Sequence, residues 1–170
     1  QAETVVAGAP IALLNATTGQ PIPILTEMNQ ANRDLEDYAD RHPLIIRPLA
    51  PLNFGERYMV ILTNELTDVD GQALARSGVF DVLQSGQLTD NPQIEAMRDR
   101  YESMFTVAET AGWSRDGMLL MWDFQVASED FVLGPVRKIK ETVLAQDAST
   151  FAYEIEENTT DPNAYLSWYI

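Results

Sequence analysis

Between Leu44 and Val82 the chain reads LIIRPLAPLNFGERYMVILTNELTDVDGQALARSGVFDV, two apolar runs set around two glycine turns. Alternation places Tyr58, Val60 and Leu62 on one face of the second run and Met59 and Ile61 on the other. Apolar residues on both faces mark a strand covered on one or both sides. Gly55 and Gly71 fall where turns call for positive φ, and Asp68-Val69-Asp70-Gly71 is a hairpin-type signal. This punctuation belongs to an all-β sandwich rather than to an enzyme pocket.

Elements on either side extend the pattern. Pro10 to Asn15 predicts a strand, followed by a turn at Gly19 and an edge-type strand over Pro21 to Leu25, because two prolines do not fit a central ladder. Glu27 to Arg41 is polar without an apolar period and reads as a surface loop. Pro43 to Pro48 and residues 57–66 predict strands, and Val79 to Leu83 a further short one. Asp90-Asn91-Pro92 then signals a helix start, and Ile94, Met97, Tyr101, Met104, Phe105 and Ala108 recur at helical spacing. That helix spans about 92–111 and is closed by Gly112. Met118 to Ala127 returns to a strand. Ser128, Glu129 and Asp130 cap a second helix, about 131–146, with Gly134-Pro135 delaying its start. Its stripe is Val132, Val136, Ile139, Val143 and Leu144. From Thr150 the chain alternates again, and Ala164 to Ile170 reads as an aromatic strand that needs a covering partner. The expected division is a domain over 1–147 and an extension, or the start of a second domain, over 148–170.

Composition narrows the function classes. The formal net charge of −15 repels nucleic acid and anionic lipid over most of the surface. The absence of cysteine removes disulfides, thiolate metal sites and a cysteine nucleophile. No window approaches eighteen consecutive apolar residues, so no transmembrane segment is expected. Gln1 is not an initiator methionine and no signal-type apolar segment follows it, which fits either a processed terminus or a truncated chain.

The order of the pieces resembles the N-terminal domain of bacterial secreted lipases of the virulence-factor type, and related Ig-like domains that precede α/β-hydrolase modules in exported bacterial proteins. The residues that carry the likeness are Arg47-Pro48, Gly55, Arg57-Tyr58, Asp68 to Gly71, Gly112, and Phe124 with Ser128, within roughly residues 10–146. The resemblance implies a mainly β fold with helices, an Ig-like β-sandwich with two packed α-helices. It also implies a periplasmic or extracellular location. The hydrolase module of that pattern is missing here, and Phe151 to Ile170 corresponds only to its approach.

Candidate chemistry is thin. Gly-x-Ser-x-Gly does not occur, and Ser77-Gly78 and Ser85-Gly86 lack the preceding glycine. His42, the single histidine, precedes Pro43 in an extended segment. Asp68 to Gly71 fails the calcium-loop pattern, since Gln72 and Val79 occupy its ligand positions. Glu154 and Glu156 read as a solvated strand face, and Arg137, Lys138 and Lys140 as the polar face of a helix. Trp113 and Trp122 read as core residues. Tyr165, Trp168 and Tyr169 are the partner-interface candidates, because no cover for their strand is visible. No cofactor is expected. The first reading is a non-catalytic docking module that binds or stabilises a partner protein, as an accessory subunit of an envelope or membrane complex. The alternative is the accessory domain of a secreted lipase or esterase whose catalysis lies beyond Ile170. A third is a carbohydrate-binding module using exposed tryptophans.

Overall fold

A computed structural model describes residues 5–29 and 42–151. Residues 30–41 of the expected loop, and the alternating and aromatic segments over 152–170, lie outside the described residues. In chain order the elements are β1 (Ile11–Asn15), β2 (Pro21–Ile22), β3 (Ile24–Met28), β4 (Leu44–Pro48), β5 (Arg57–Thr63), α1 (Gly78–Ser85), α2 (Pro92–Thr110), β6 (Met118–Gln125) and α3 (Glu129–Leu144). Short 3-10 turns cover Arg115–Gly117 and Ala148–Phe151. Among the described residues the architecture is mixed, with two antiparallel sheets and three α-helices. The four-stranded sheet runs β2-β1-β5-β6 and the two-stranded sheet β3-β4.

Pairing explains the apolar runs. Leu14 lies opposite Met59 and Ile61 opposite Met121, while Leu13 lies opposite Val60 and Val60 opposite Trp122. Successive side chains therefore enter different cores. Leu14, Met59, Ile61 and Met121 join Phe80, Met104, Phe105, Ala108 and Trp113 on the helical side. Leu13, Tyr58 and Val60 join Ile24 and Ile46 of the smaller sheet on the other. A central strand packed on both faces reads as a continuous hydrophobic run, and β5 does. Pro23 alone separates β2 from β3, so the chain changes sheets across a single residue, and β2 keeps Pro21 on the sheet edge.

Residues 79–83, expected as a strand, belong instead to α1. A short apolar run does not distinguish strand from buried helix, and the surroundings decide. The Ser77 side chain accepts a hydrogen bond from the Phe80 amide, Phe80, Leu83 and Gln84 are buried one turn apart, and Gly86 ends the helix at φ 73°. α2 matches its expected span, with the Asn91 side chain accepting from Gln93 N and Pro92 in the first turn. α3 begins at Glu129 and runs through Pro135, so Gly134-Pro135 does not delay it. Asn91 shows the capping chemistry that the sequence announces, and Ser77 adds a cap that the strand expectation did not include; α3 tolerates the loss of the donor that proline removes.

Trp113 locks α2 onto the sheet. It is buried, and its Nε1 donates to the Ala9 carbonyl oxygen at 3.1 Å. Trp113→Phe keeps an aromatic ring but orphans that buried acceptor, so unfolding free energy should fall by about 1–2 kcal/mol in a urea titration. A change below the error of the titration would show that water takes over the bond.

By internal contacts the chain divides into Gln1–Ser128 and Glu129–Ile170. The first unit contains both cores, and the second begins with α3. Among the described residues no helix is long and apolar enough to cross a membrane.

Candidate functional site

The densest polar cluster lies where α1 ends, α2 passes and β6 begins. Arg115 Nε donates to the Gln84 carbonyl oxygen at 2.6 Å and Nη2 to that of Leu83 at 3.0 Å. These carbonyls belong to the last turn of α1, where no intrahelical partner remains, and a cation there also complements the helix dipole. The same guanidinium grips both carboxylate oxygens of Glu102 on α2, at 2.7 and 2.6 Å, and sits 4.1 Å from the Phe105 ring centroid. Arg76 reaches into the same region, donating to the Met118 and Asp116 carbonyls and to the side chains of Asp81 and Gln84. Gln84 returns a bond to the Arg115 carbonyl. The arrangement is a clamp that joins two helices to a strand.

The hydrogen bond from Arg115 holds the Glu102 carboxyl below its ordinary value, against the opposing effect of burial. A carboxylate depressed in the folded state stabilises fully above its unfolded pKa of about 4.3 and loses that contribution as pH falls through the folded value. Glu102→Gln should therefore lower stability at pH 7 and flatten the loss of stability below about pH 4.5. Melting temperatures taken from pH 7 to pH 3 measure this; parallel curves for the two proteins would contradict it.

Two further polar groups pin the sheet. Asp123 on β6, with its side chain only 5% exposed, lies between Arg57 at 2.8 Å and Arg100 at 2.5 Å, joining β5, β6 and α2. Glu56 Oε2 accepts from Asn15 Nδ2 at 2.7 Å and from the Tyr58 hydroxyl at 3.0 Å, while Asn15 Oδ1 accepts from the amides of Thr17 and Thr18. These networks escape a linear reading, because Arg76 and Arg115 or Asn15 and Glu56 are separated by some forty residues. The available signal was scarcity. A chain of −15 with eleven bases places several of them where the fold needs a cation.

The candidates from the sequence are scattered. Tyr165, Trp168 and Tyr169 lie outside the described residues. His42 Nδ1 is 3.2 Å from the Asn29 carbonyl oxygen. Asp68 Oδ1 accepts from the amides of Asp70 and Gln72, and Gly71 takes φ 75°, so this segment is a side-chain-stabilised turn closed by the Thr67–Ala73 bridge. Among the described residues no group of three or more His, Asp or Glu side chains is placed to hold a metal. An open depression of about 400 Å³ is lined by Leu88, Thr89, Asp90 and Glu95, where Glu95 is engaged by Arg98 and the Thr89 amide.

Among the described residues α3 carries an exposed apolar stripe. The sequence leads one to expect a packed helix, yet none of its residues is buried. Val132 is 45% exposed, Val136 and Ile139 64%, and Val143 43%. Arg137, Lys138 and Lys140 are also on this helix, and Arg137 pairs with Glu129. The stripe is thus present as spacing predicts and is exposed among the described residues. No family model matches the chain, and neither a curated protein nor a solved structure matches it.

Proposed function

We propose that this chain is a non-catalytic docking module, exported to the periplasm or beyond, that binds a partner protein as an accessory subunit of an envelope or membrane complex. The observation that carries this reading is the apolar stripe of α3, since a contiguous apolar surface on a folded chain marks a contact. The polar networks of the first unit support it, because Arg115, Arg76, Glu102 and Asp123 are engaged in holding elements together. The lack of Gly-x-Ser-x-Gly and the single histidine point the same way. Tyr165, Trp168 and Tyr169 are the candidates that the sequence offers for the same partner. The finer fold within this proposal is a small Ig-like sandwich, supported by the packing of Ile24 and Ile46 against the sheet face that carries Leu13 and Val60.

The test is affinity purification of the tagged chain from the envelope fraction of a bacterium that produces it. A protein recovered in stoichiometric amount, and lost with Ile139→Glu or with Trp168→Ala combined with Tyr169→Ala, is the expected result. Recovery of the chain alone as a monomer would sink the docking reading. The glycine positions favour the second reading, an accessory domain of a secreted lipase or esterase. Gly55, Gly71 and Gly112 all take positive φ at the turns where the resemblance places them. Intact mass of the native protein separates the two, since a lipase parent is much longer than this chain and carries Gly-x-Ser-x-Gly.

A further inference from the structure

We infer that the outer edge of β6 takes up, as an added strand, an extended segment of another protein in which an acidic residue stands between two apolar ones. The inference goes beyond the docking reading, since it concerns the first unit and stands whether or not α3 has a partner. Main-chain bonding sets the geometry. In an antiparallel ladder both main-chain groups of a residue point to the same side, and successive residues point to opposite sides. Ala16 N donates to the Arg57 carbonyl oxygen and Thr63 N to that of Pro10, so the odd-numbered residues of β5 bond towards β1. Tyr58 and Val60 therefore bond to β6, where they lie opposite Phe124 and Trp122. Met121, Asp123 and Gln125 are left facing outward, and β6 ends its sheet among the described residues.

Native sheets blunt their exposed edges, and the first half of this one is blunted. Arg76 Nε donates to the Met118 carbonyl oxygen at 3.0 Å, and the Tyr101 hydroxyl to that of Met121 at 3.1 Å. Past Met121 the outward main-chain groups of Asp123 and Gln125 meet no bonding partner among the described residues. The two faces beside this open half differ in chemistry. On one, Trp122 is half-buried and Phe124, stacked on Tyr58, is 36% exposed. On the other, Arg57 neutralises the Asp123 carboxylate, and Arg100 pairs with the same carboxylate while 52% exposed. One carboxylate against two guanidiniums leaves a surplus cation on a chain of −15. A strand laid along this edge sets the residue opposite Asp123 beside Arg100, and its two neighbours beside Trp122 and Phe124. The matching order is apolar, acidic, apolar. Main-chain bonds then supply affinity, and these side-chain pairs fix the register. Charge disfavours a second copy as occupant. A two-fold pairing about Asp123 would set two Arg100 side chains against each other and join two chains of −15.

The probe is a fluorescein-labelled peptide, Gly-Ser-Val-Thr-Val-Glu-Val-Thr-Val-Ser-Gly, titrated with the whole chain in physiological salt. Fluorescence anisotropy should report a dissociation constant on the order of tens of micromolar. Lysine in place of the peptide's glutamate should weaken binding by about 10-fold or more, and so should Phe124→Ser in the chain. Arg100→Glu should reverse the preference, favouring the lysine peptide, an outcome that loss of folding does not imitate. Amide exchange followed by NMR locates the added strand. The Asp123 and Gln125 amides should exchange fast in the free chain and slow by about 10-fold or more with saturating peptide, whereas those of Trp122 and Phe124 are slow throughout. No binding up to about 1 mM, equal affinity for the two peptides, or protection at another element overturns the inference. Asp123 and Gln125 amides already slow in the free chain overturn it as well, with a second copy as the occupant if that chain sediments as a dimer. The docking role assigned to α3 survives each of these results.

Discussion

Replacing Arg115 with methionine is expected to lower the stability of the chain by about 3 kcal/mol, more than any other single arginine replacement. Methionine keeps most of the apolar stem, so the loss isolates the guanidinium. That group donates to the Leu83 and Gln84 carbonyls, pairs with both Glu102 oxygens and stacks on Phe105. Its removal leaves two carbonyls at the end of α1 and a carboxylate on α2 without their cation. Glu102 retains partial access to water, its side chain being 45% exposed, which keeps the loss below that of a fully buried pair. For a chain of this size the melting temperature should drop by roughly 6–12 °C. Arg47, whose partner Glu27 is also exposed, provides the control: Arg47→Met should change stability by less than about 1 kcal/mol. Equal effects at the two positions would show that burial and helix capping do not set the value of Arg115.

Gly112→Ala should cost about 2–4 kcal/mol, against about 1 kcal/mol for Gly71→Ala, although both glycines have positive φ. Gly112 sits at φ 98° just after α2, its amide donating to Glu109 O and the next amide, of Trp113, to Ala108 O. This is the paired closure that a left-handed residue allows at a helix end. A Cβ there would lie 2.6 Å from Ala7 Cβ, too close without displacing the backbone that leads to Ala9. The displacement would reach Trp113, whose indole is bonded to Ala9. Gly71, at φ 75°, has open space where its Cβ would stand, so only the backbone preference is lost. Denaturation of the two variants in parallel checks the difference. If Gly71→Ala proves as damaging as Gly112→Ala, φ alone governs and the contact with Ala7 is irrelevant.

Much of the local structure was legible because it depends on neighbours in the chain. β1, β4, β5 and β6 follow from apolar runs between turn residues, and α2 from Asn91-Pro92 and a stripe at helical spacing. Gly55, Gly71 and Gly112 were marked as turn positions, and all three take positive φ. Residues 79–83 were misread as a strand because Val79, Phe80, Val82 and Leu83 satisfy either pattern over so short a span. Their helix depends on Ser77, on Gly86 and on a core into which Phe80 and Leu83 point together. α3 shows the converse. Its stripe was read correctly, but spacing says which residues share a face and not whether anything covers it.

The sequence by itself determined where strands and helices could begin, turn and stop, because caps, prolines, glycines and hydrophobic period act within a few residues. It also determined a charge of −15 and a chain without thiol chemistry. Only the tertiary structure decided which faces of β5 meet helices and which meet the smaller sheet, and where the few cations are engaged. It likewise decided that the apolar stripe of α3 is exposed among the described residues. Those outcomes depend on residues tens of positions apart, such as Arg115 with Leu83 and Asn15 with Glu56, whose meeting is created by folding and encoded in no local pattern.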